Sequence, residues 1–129
     1  MKERYPMLKR ILTVDDNDDI LSVVGFALEH AGFAVRSAHD QHEMEAALAQ
    51  ELPDLMVLDL MLPGANGYEV LQQLHANDLT RNIPVIVMTA KSEVLYQRMS
   101  ADLGVLHHFT KPFPPEALVV QARTILHEG

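Results

Sequence analysis

Three aspartates stand at the ends of two apolar runs, where their carboxylates could do chemistry together. Asp59 closes the run of residues 55–58, and Asp15 and Asp16 close the run of residues 11–14. If both runs are parallel strands, their carboxyl ends share the sheet edge at which open α/β folds bind ligands. Carboxylates crowded at that edge repel one another unless a cation lies among them. The pattern therefore predicts a cation site.

A hydroxyl and an ammonium group follow two later apolar runs. Thr89 comes after residues 84–88, and Lys111 comes after residues 105–110. Mg²⁺ prefers oxygen ligands and often binds one or two carboxylates together with phosphate. A hydroxyl and an ammonium opposite that cation complete a phosphoryl site, in which Asp59 can act as the nucleophile and form an aspartyl-phosphate.

Each of these residues also has an ordinary structural explanation. A single Asp at a strand end is most often a turn or cap residue, and Thr89 is a strand former. The acids at 15 and 16 could merely begin an acidic helix. These explanations become less convincing only when the residues are considered together, because all the side chains fall at one edge of the same predicted sheet.

The elements that position these residues are five strands alternating with five helices. Strands are predicted at residues 11–14, 33–37, 55–58, 84–88 and 105–110. Helical spacing or capping residues predict five helices. The first runs from Asn17 to Gly32, and the second covers residues 42–50. The third lies around Val70, Leu71 and Leu74, the fourth around Val94, Leu95, Met99 and Leu103, and the last begins at Pro114. Such alternation is typical of a parallel sheet with helices on both faces.

Composition narrows the function classes. The chain has 129 residues, and its formal net charge of -8 (10 basic against 18 acidic residues) disfavours binding to a nucleic-acid backbone. It has no cysteine, which excludes a disulfide scaffold and a thiolate metal site. No apolar run reaches the roughly 18 residues needed to span a membrane. We therefore expect one cytoplasmic domain over residues 1–129, with a core at about 9–127 and no membrane partner.

Taken together, these residues resemble the receiver domain of two-component response regulators over nearly the whole chain. From Asp16 through Asp59 and Thr89 to Lys111 the intervals are 43, 30 and 22 residues. The matching segments are Val14-Asp15-Asp16-Asn17, Val57-Leu58-Asp59-Leu60-Met61-Leu62-Pro63-Gly64, Asn66-Gly67, Val87-Met88-Thr89-Ala90 and Thr110-Lys111-Pro112-Phe113. The resemblance implies a flavodoxin-like fold with strand order 2-1-3-4-5.

The resemblance also implies roles for the site residues. Asp59 would accept a phosphoryl group from a histidine kinase or a histidine phosphotransfer protein. Asp16, Asp59 and the backbone carbonyl of Met61 would bind Mg²⁺ directly, and Asp15 would act through a water molecule. Thr89 and Lys111 would contact the phosphate, and the peptide bond from Lys111 to Pro112 would be cis.

The sequence departs from the family pattern at His108. The family commonly places Tyr or Phe three residues before the lysine, as an aromatic switch. Burying imidazolium costs more than burying neutral imidazole. We therefore expect phosphorylation to couple to the rotamer and charge of His108. An exposed histidine with no such role is the alternative.

The resulting prediction is a signalling module rather than an enzyme, although it would catalyse its own phosphorylation and slow dephosphorylation. Phosphorylation of Asp59 would repack the surface formed by the predicted fourth helix, the fifth strand and the last helix. The output target would lie outside this chain. Two alternatives remain. One is an aspartate-nucleophile phosphohydrolase, which is disfavoured because Met61 replaces the usual second acid. The other is a flavodoxin-like cofactor-binding protein, which is disfavoured because the first strand ends in two acids.

Overall fold

A computed structural model describes residues 8–90 and 102–126 of the chain. The described part contains five parallel strands in the order β2-β1-β3-β4-β5, as predicted. Their bounds are β1 Arg10–Val14, β2 Ala34–Ala38, β3 Leu55–Asp59, β4 Val85–Thr89 and β5 Val105–Thr110. The order reverses between β1 and β3, and this is where open α/β sheets form their binding crevice.

Strand register brings the chemically interesting residues side by side. Val14 of β1 pairs with Leu58 of β3, so the next residues along, Asp15 and Asp59, are neighbours. Thr89 pairs with Thr110, which places Lys111 directly beyond the same edge. The carboxyl edge of the sheet therefore carries the predicted site.

Four helices connect or follow the described strands. They are α1 Asp18–His30, α2 Gln41–Gln50, α3 Gly67–Ala76 and α4 Pro115–Leu126. Asn17 and Asn66 cap α1 and α3, because each side-chain oxygen accepts hydrogen bonds from two backbone N–H groups of the first turn. The helix predicted around Val94, Leu95 and Met99 lies outside the described residues.

The strands alternate their side chains between two cores, one on each face of the sheet. Leu12, Met56 and Val87 belong to a core that also contains residues of α2 and α3. Ile11, Val57 and Ile86 belong to a core that also contains residues of α1 and α4. Helices therefore cover both faces, as predicted, and β3 and β4 are buried throughout. Among the described residues, no helix combines the length and the apolar character needed to cross a membrane.

Candidate functional site

Three carboxylates meet at the carboxyl edge of the sheet. One oxygen from each of Asp15, Asp16 and Asp59 can be chosen so that all three lie within 4.8 Å of one another. Asp15 and Asp59 are buried, whereas Asp16 is exposed at the mouth of the site. An all-oxygen donor set of this kind fits a hard divalent cation such as Mg²⁺ better than a metal that prefers sulfur.

Lys111 lies between the two buried carboxylates. Its Nζ donates to Asp15 Oδ2 at 2.6 Å and to Asp59 Oδ2 at 2.9 Å. Burial of the ammonium lowers the pKa of Lys111, but hydrogen bonds to Asp15 and Asp59, together with their charges, outweigh that effect and raise the pKa above its ordinary value. Lys111 is therefore held as a cation, and it supplies positive charge to the acidic cluster.

Backbone N–H groups fix the second oxygen of each buried carboxylate. Asn17 N donates to Asp15 Oδ1 at 2.9 Å, and Met61 N donates to Asp59 Oδ1 at 2.8 Å. Both buried carboxylates are thus held from two sides, by the loop that follows each strand and by Lys111. A carboxylate oxygen can accept more than one contact, so this arrangement leaves capacity for a cation.

Thr89 and Lys111 are joined through the backbone. Thr89 is the buried last residue of β4, and its carbonyl oxygen accepts a hydrogen bond from Lys111 N at 2.8 Å. The Lys111–Pro112 peptide bond is cis, as the resemblance implied. The structure therefore gathers Asp15, Asp16, Asp59, Thr89 and Lys111 at one edge of the sheet.

His108 lies half-buried on β5, which β4 separates from β3 and its Asp59. Burial, and then the charge of neighbouring His107, lower the pKa of His108 below its ordinary value. The ring of His107 packs against Phe109 with a centroid distance of 4.6 Å. Burial of the ring therefore disfavours imidazolium relative to neutral imidazole at His108.

Sequence reasoning missed a second cluster at the same edge. His39 follows β2, and its two ring nitrogens contact carboxylate oxygens of Asp18 and Glu43. Ala38 O accepts a hydrogen bond from Asp15 N at 3.0 Å, so this cluster adjoins the main site. The signal that could have found His39 is the rule used for the aspartates, namely its place directly after a strand.

Comparison with known proteins identifies the family. The family model described as the response regulator receiver domain matches residues 11–123. The phosphate regulon transcriptional regulatory protein PhoB of Pseudomonas aeruginosa is 37% identical over 118 residues, which are 92% of this chain and 52% of PhoB. The alkaline phosphatase synthesis transcriptional regulatory protein PhoP of Bacillus subtilis is 38% identical over 123 residues, which are 95% of this chain and 50% of PhoP. The chain thus spans about half the length of these relatives.

Solved structures agree with this result. A CheY-like response regulator receiver domain protein from Methanospirillum hungatei superposes with a TM-score of 0.86 at 30% identity, covering 95% of this chain and 96% of that one. The chemotaxis response regulator CheY4 of Vibrio cholerae shares the fold, with a TM-score of 0.84 at 24% identity, covering 92% of this chain and 99% of that one. The sequence left three functions open, namely a receiver domain, an aspartate-nucleophile phosphohydrolase and a flavodoxin-like cofactor-binding protein. These matches support the receiver domain. The chain belongs to the receiver domains of two-component response regulators, a family of signalling modules.

Proposed function

We propose that Asp59 is the residue that accepts a phosphoryl group in this receiver domain. The observation that carries the proposal is the position of its carboxylate, buried between Met61 N–H and the Lys111 ammonium. In the transfer, the bond from phosphorus to the donor's histidine nitrogen breaks, and a bond from phosphorus to an Asp59 oxygen forms. The phosphorylated carboxylate then carries the signal.

Asp16, Asp59 and the Met61 carbonyl are the proposed direct ligands of Mg²⁺, with Asp15 acting through water. The proximity of the three carboxylates supports this assignment. The bound cation would supply charge neutralisation for the oxygens of the transferring group. Hydrogen bonds from Asn17 N–H and Lys111 Nζ orient the Asp15 carboxylate beside this site.

Lys111 and Thr89 are the proposed partners of the phosphate. Lys111 Nζ already contacts the Asp59 oxygen Oδ2, so a phosphoryl group on this carboxylate falls within its reach. Thr89 ends the neighbouring strand and is tied to Lys111 through its carbonyl oxygen. A new anion on Asp59 would draw both side chains inward, and this local change in charge is a common trigger for repacking.

The output surface is proposed to include β5, α4 and the segment that connects β4 to β5. His108 lies on β5 and is expected to turn inward as neutral imidazole when Asp59 is phosphorylated. An NMR titration should therefore give a lower pKa for His108 with a phosphate mimic than without one. An identical pKa in both states would remove His108 from the switch.

The proposed phosphoryl donor is a histidine kinase or a histidine phosphotransfer protein in the cytoplasm. The chain is proposed to form one receiver domain over residues 1–129 that binds no nucleic acid itself and acts on a target or effector domain outside these residues. Slow loss of the phosphoryl group by the domain's own catalysis completes the cycle. The names of PhoB and PhoP as transcriptional regulatory proteins support an output in gene regulation.

A small phosphodonor such as acetyl phosphate, added with Mg²⁺, tests the central assignment. Mass spectrometry should detect one added phosphoryl group on the wild type and none on Asp59→Asn. The matched control is Asp78→Asn, which removes an exposed carboxylate paired with Arg81 and should leave uptake unchanged. Uptake by Asp59→Asn equal to the wild type would refute Asp59 as acceptor. Decay of the mass shift after donor removal measures the proposed self-catalysed hydrolysis.

A further inference from the structure

Gly67 occupies the first position of α3, directly after the capping residue Asn66. A Cβ atom built on Gly67 would lie 2.8 Å from both Cα and Cβ of Leu60, and its nearest neighbours also include the Leu60 carbonyl oxygen. Gly67 is not among the glycines with positive φ. The space beside Leu60, rather than backbone torsion, therefore requires glycine at this position.

Leu60, the residue that a Cβ atom on Gly67 would strike, lies between two residues of the proposed cation site. Leu60 follows Asp59, the proposed acceptor, and precedes Met61, whose carbonyl is a proposed Mg²⁺ ligand. Two of the three nearest atoms belong to the Leu60 backbone, which cannot swing aside as the end of a flexible side chain would. A methyl group on Gly67 would thus push on the turn itself.

Leu60 has little freedom to move away. Its N–H donates to Met88 O at 3.2 Å, and its side chain is buried in the core that contains Leu62 and Val70. The next residue is also anchored, because Met61 N donates to Asp59 Oδ1. Displacement of Leu60 would therefore be passed on to Asp59 and Met61.

We infer that Gly67 is a positioning residue for the cation site, because it lets the start of α3 lie directly against the turn from Asp59 to Met61. The inference rests on the proposed function, which supplies the roles of Asp59 and Met61. Gly67 itself contacts neither the cation nor the phosphoryl group in this scheme. It acts through Leu60.

The test compares Gly67→Ala with Gly25→Ala. A Cβ on Gly25 would meet only Val35 Cγ1 at 3.9 Å, which is an ordinary contact, so this helical glycine is a matched control. Isothermal titration with Mg²⁺ should show about tenfold weaker binding for Gly67→Ala and unchanged binding for Gly25→Ala, because inserting a methyl group into packed structure displaces its neighbours. Backbone amide shifts of Asp59 and Met61 should move only in Gly67→Ala.

Folded Gly67→Ala that binds Mg²⁺ as tightly as the wild type would overturn the inference. If Gly67→Ala does not fold, Asn66→Ala provides the second test, since it loosens the start of α3 without adding an atom near Leu60. Asn66→Ala should then weaken Mg²⁺ binding severalfold, and unchanged binding would overturn the inference. A wild type that bound no Mg²⁺ would instead overturn the proposed function.

Discussion

Two clusters at the carboxyl edge have the same arrangement, a basic side chain between two carboxylates, but their side chains differ in exposure to solvent. In the first, Lys111 is 17% exposed, and it contacts Asp15 and Asp59, whose side chains are 0% and 4% exposed. In the second, His39 is 47% exposed, and its partners Asp18 and Glu43 are 82% and 49% exposed. Water screens the second cluster far more than the first.

The comparison shows that burial, rather than arrangement, decides what each cluster can do. Removing one partner from a buried ion pair leaves a charge that water cannot reach, and this is strongly destabilising. In an exposed cluster, water replaces a lost partner. We therefore expect the Lys111 cluster to govern stability and cation binding, and the His39 cluster to tune stability with pH.

The largest effect is expected for Lys111→Met, which removes the ammonium but keeps an apolar side chain of similar length. Because Asp15 and Asp59 would remain buried without the Lys111 ammonium, we expect the free energy of unfolding, measured without Mg²⁺, to fall by about 3 kcal/mol. Urea denaturation measures it. The control Arg81→Met breaks an exposed pair with Asp78 and should cost less than about 1 kcal/mol. Equal losses in the two variants would contradict the comparison.

A second effect, of intermediate size, concerns Mg²⁺. A ligand that binds only the folded state stabilises it by RT ln(1 + [L]/Kd), which is about 2.7 kcal/mol at 100 times Kd. Mg²⁺ should therefore raise the melting temperature of the wild type, and Asp16→Asn should abolish most of this increase. Asp19→Asn, which changes an exposed acid in the first turn of α1, is the control. A full Mg²⁺ response in Asp16→Asn would exclude Asp16 as a ligand.

The smallest effect is expected at His39 and depends on pH. Hydrogen bonds to Glu43 and Asp18 raise the pKa of His39 above 6.5, so its stabilising contribution is complete below that pH and is lost as pH rises through the folded-state pKa. A backbone hydrogen bond from His39, followed by one from its side chain, lowers the pKa of Glu43 below 4.5, so its contribution is lost as pH falls through the folded-state pKa.

The stability difference between wild type and His39→Gln should therefore be largest between about pH 4.5 and 6.5. Urea denaturation across this range and up to alkaline pH measures the difference. A difference between wild type and His39→Gln that does not change with pH would show that the imidazole bridge contributes nothing through its charge.

The side chains of the main site could be predicted from sequence because a single rule places them. Residues that follow apolar runs in parallel strands lie at the carboxyl edge, so the sequence alone places Asp15, Asp59 and Lys111 there. The contact of Lys111 with both acids was not predicted, because sequence spacing carries no information about side-chain partners across the sheet. The family resemblance implies only that Lys111 pairs with a phosphate.

The predicted start of the second strand is wrong, because apolar residues lie on both sides of that boundary. The sequence predicts that Phe33 begins the second strand, but Phe33 is a buried residue between the turn and the strand, and its N–H donates to Leu28 O. The strand extends to Ala38 instead, and this shift concealed His39 at its end.

The contacts of Lys111 span a long stretch of chain, since its partner Asp15 lies 96 positions earlier. During synthesis the amino-terminal residues leave the ribosome first, and here the acids emerge long before the lysine that balances them. A chain that stops growing before β5 therefore has no ammonium for Asp15 and Asp59. The buried cluster can therefore form only after synthesis has passed β5 and reached Lys111, and a product that stops earlier would lack it.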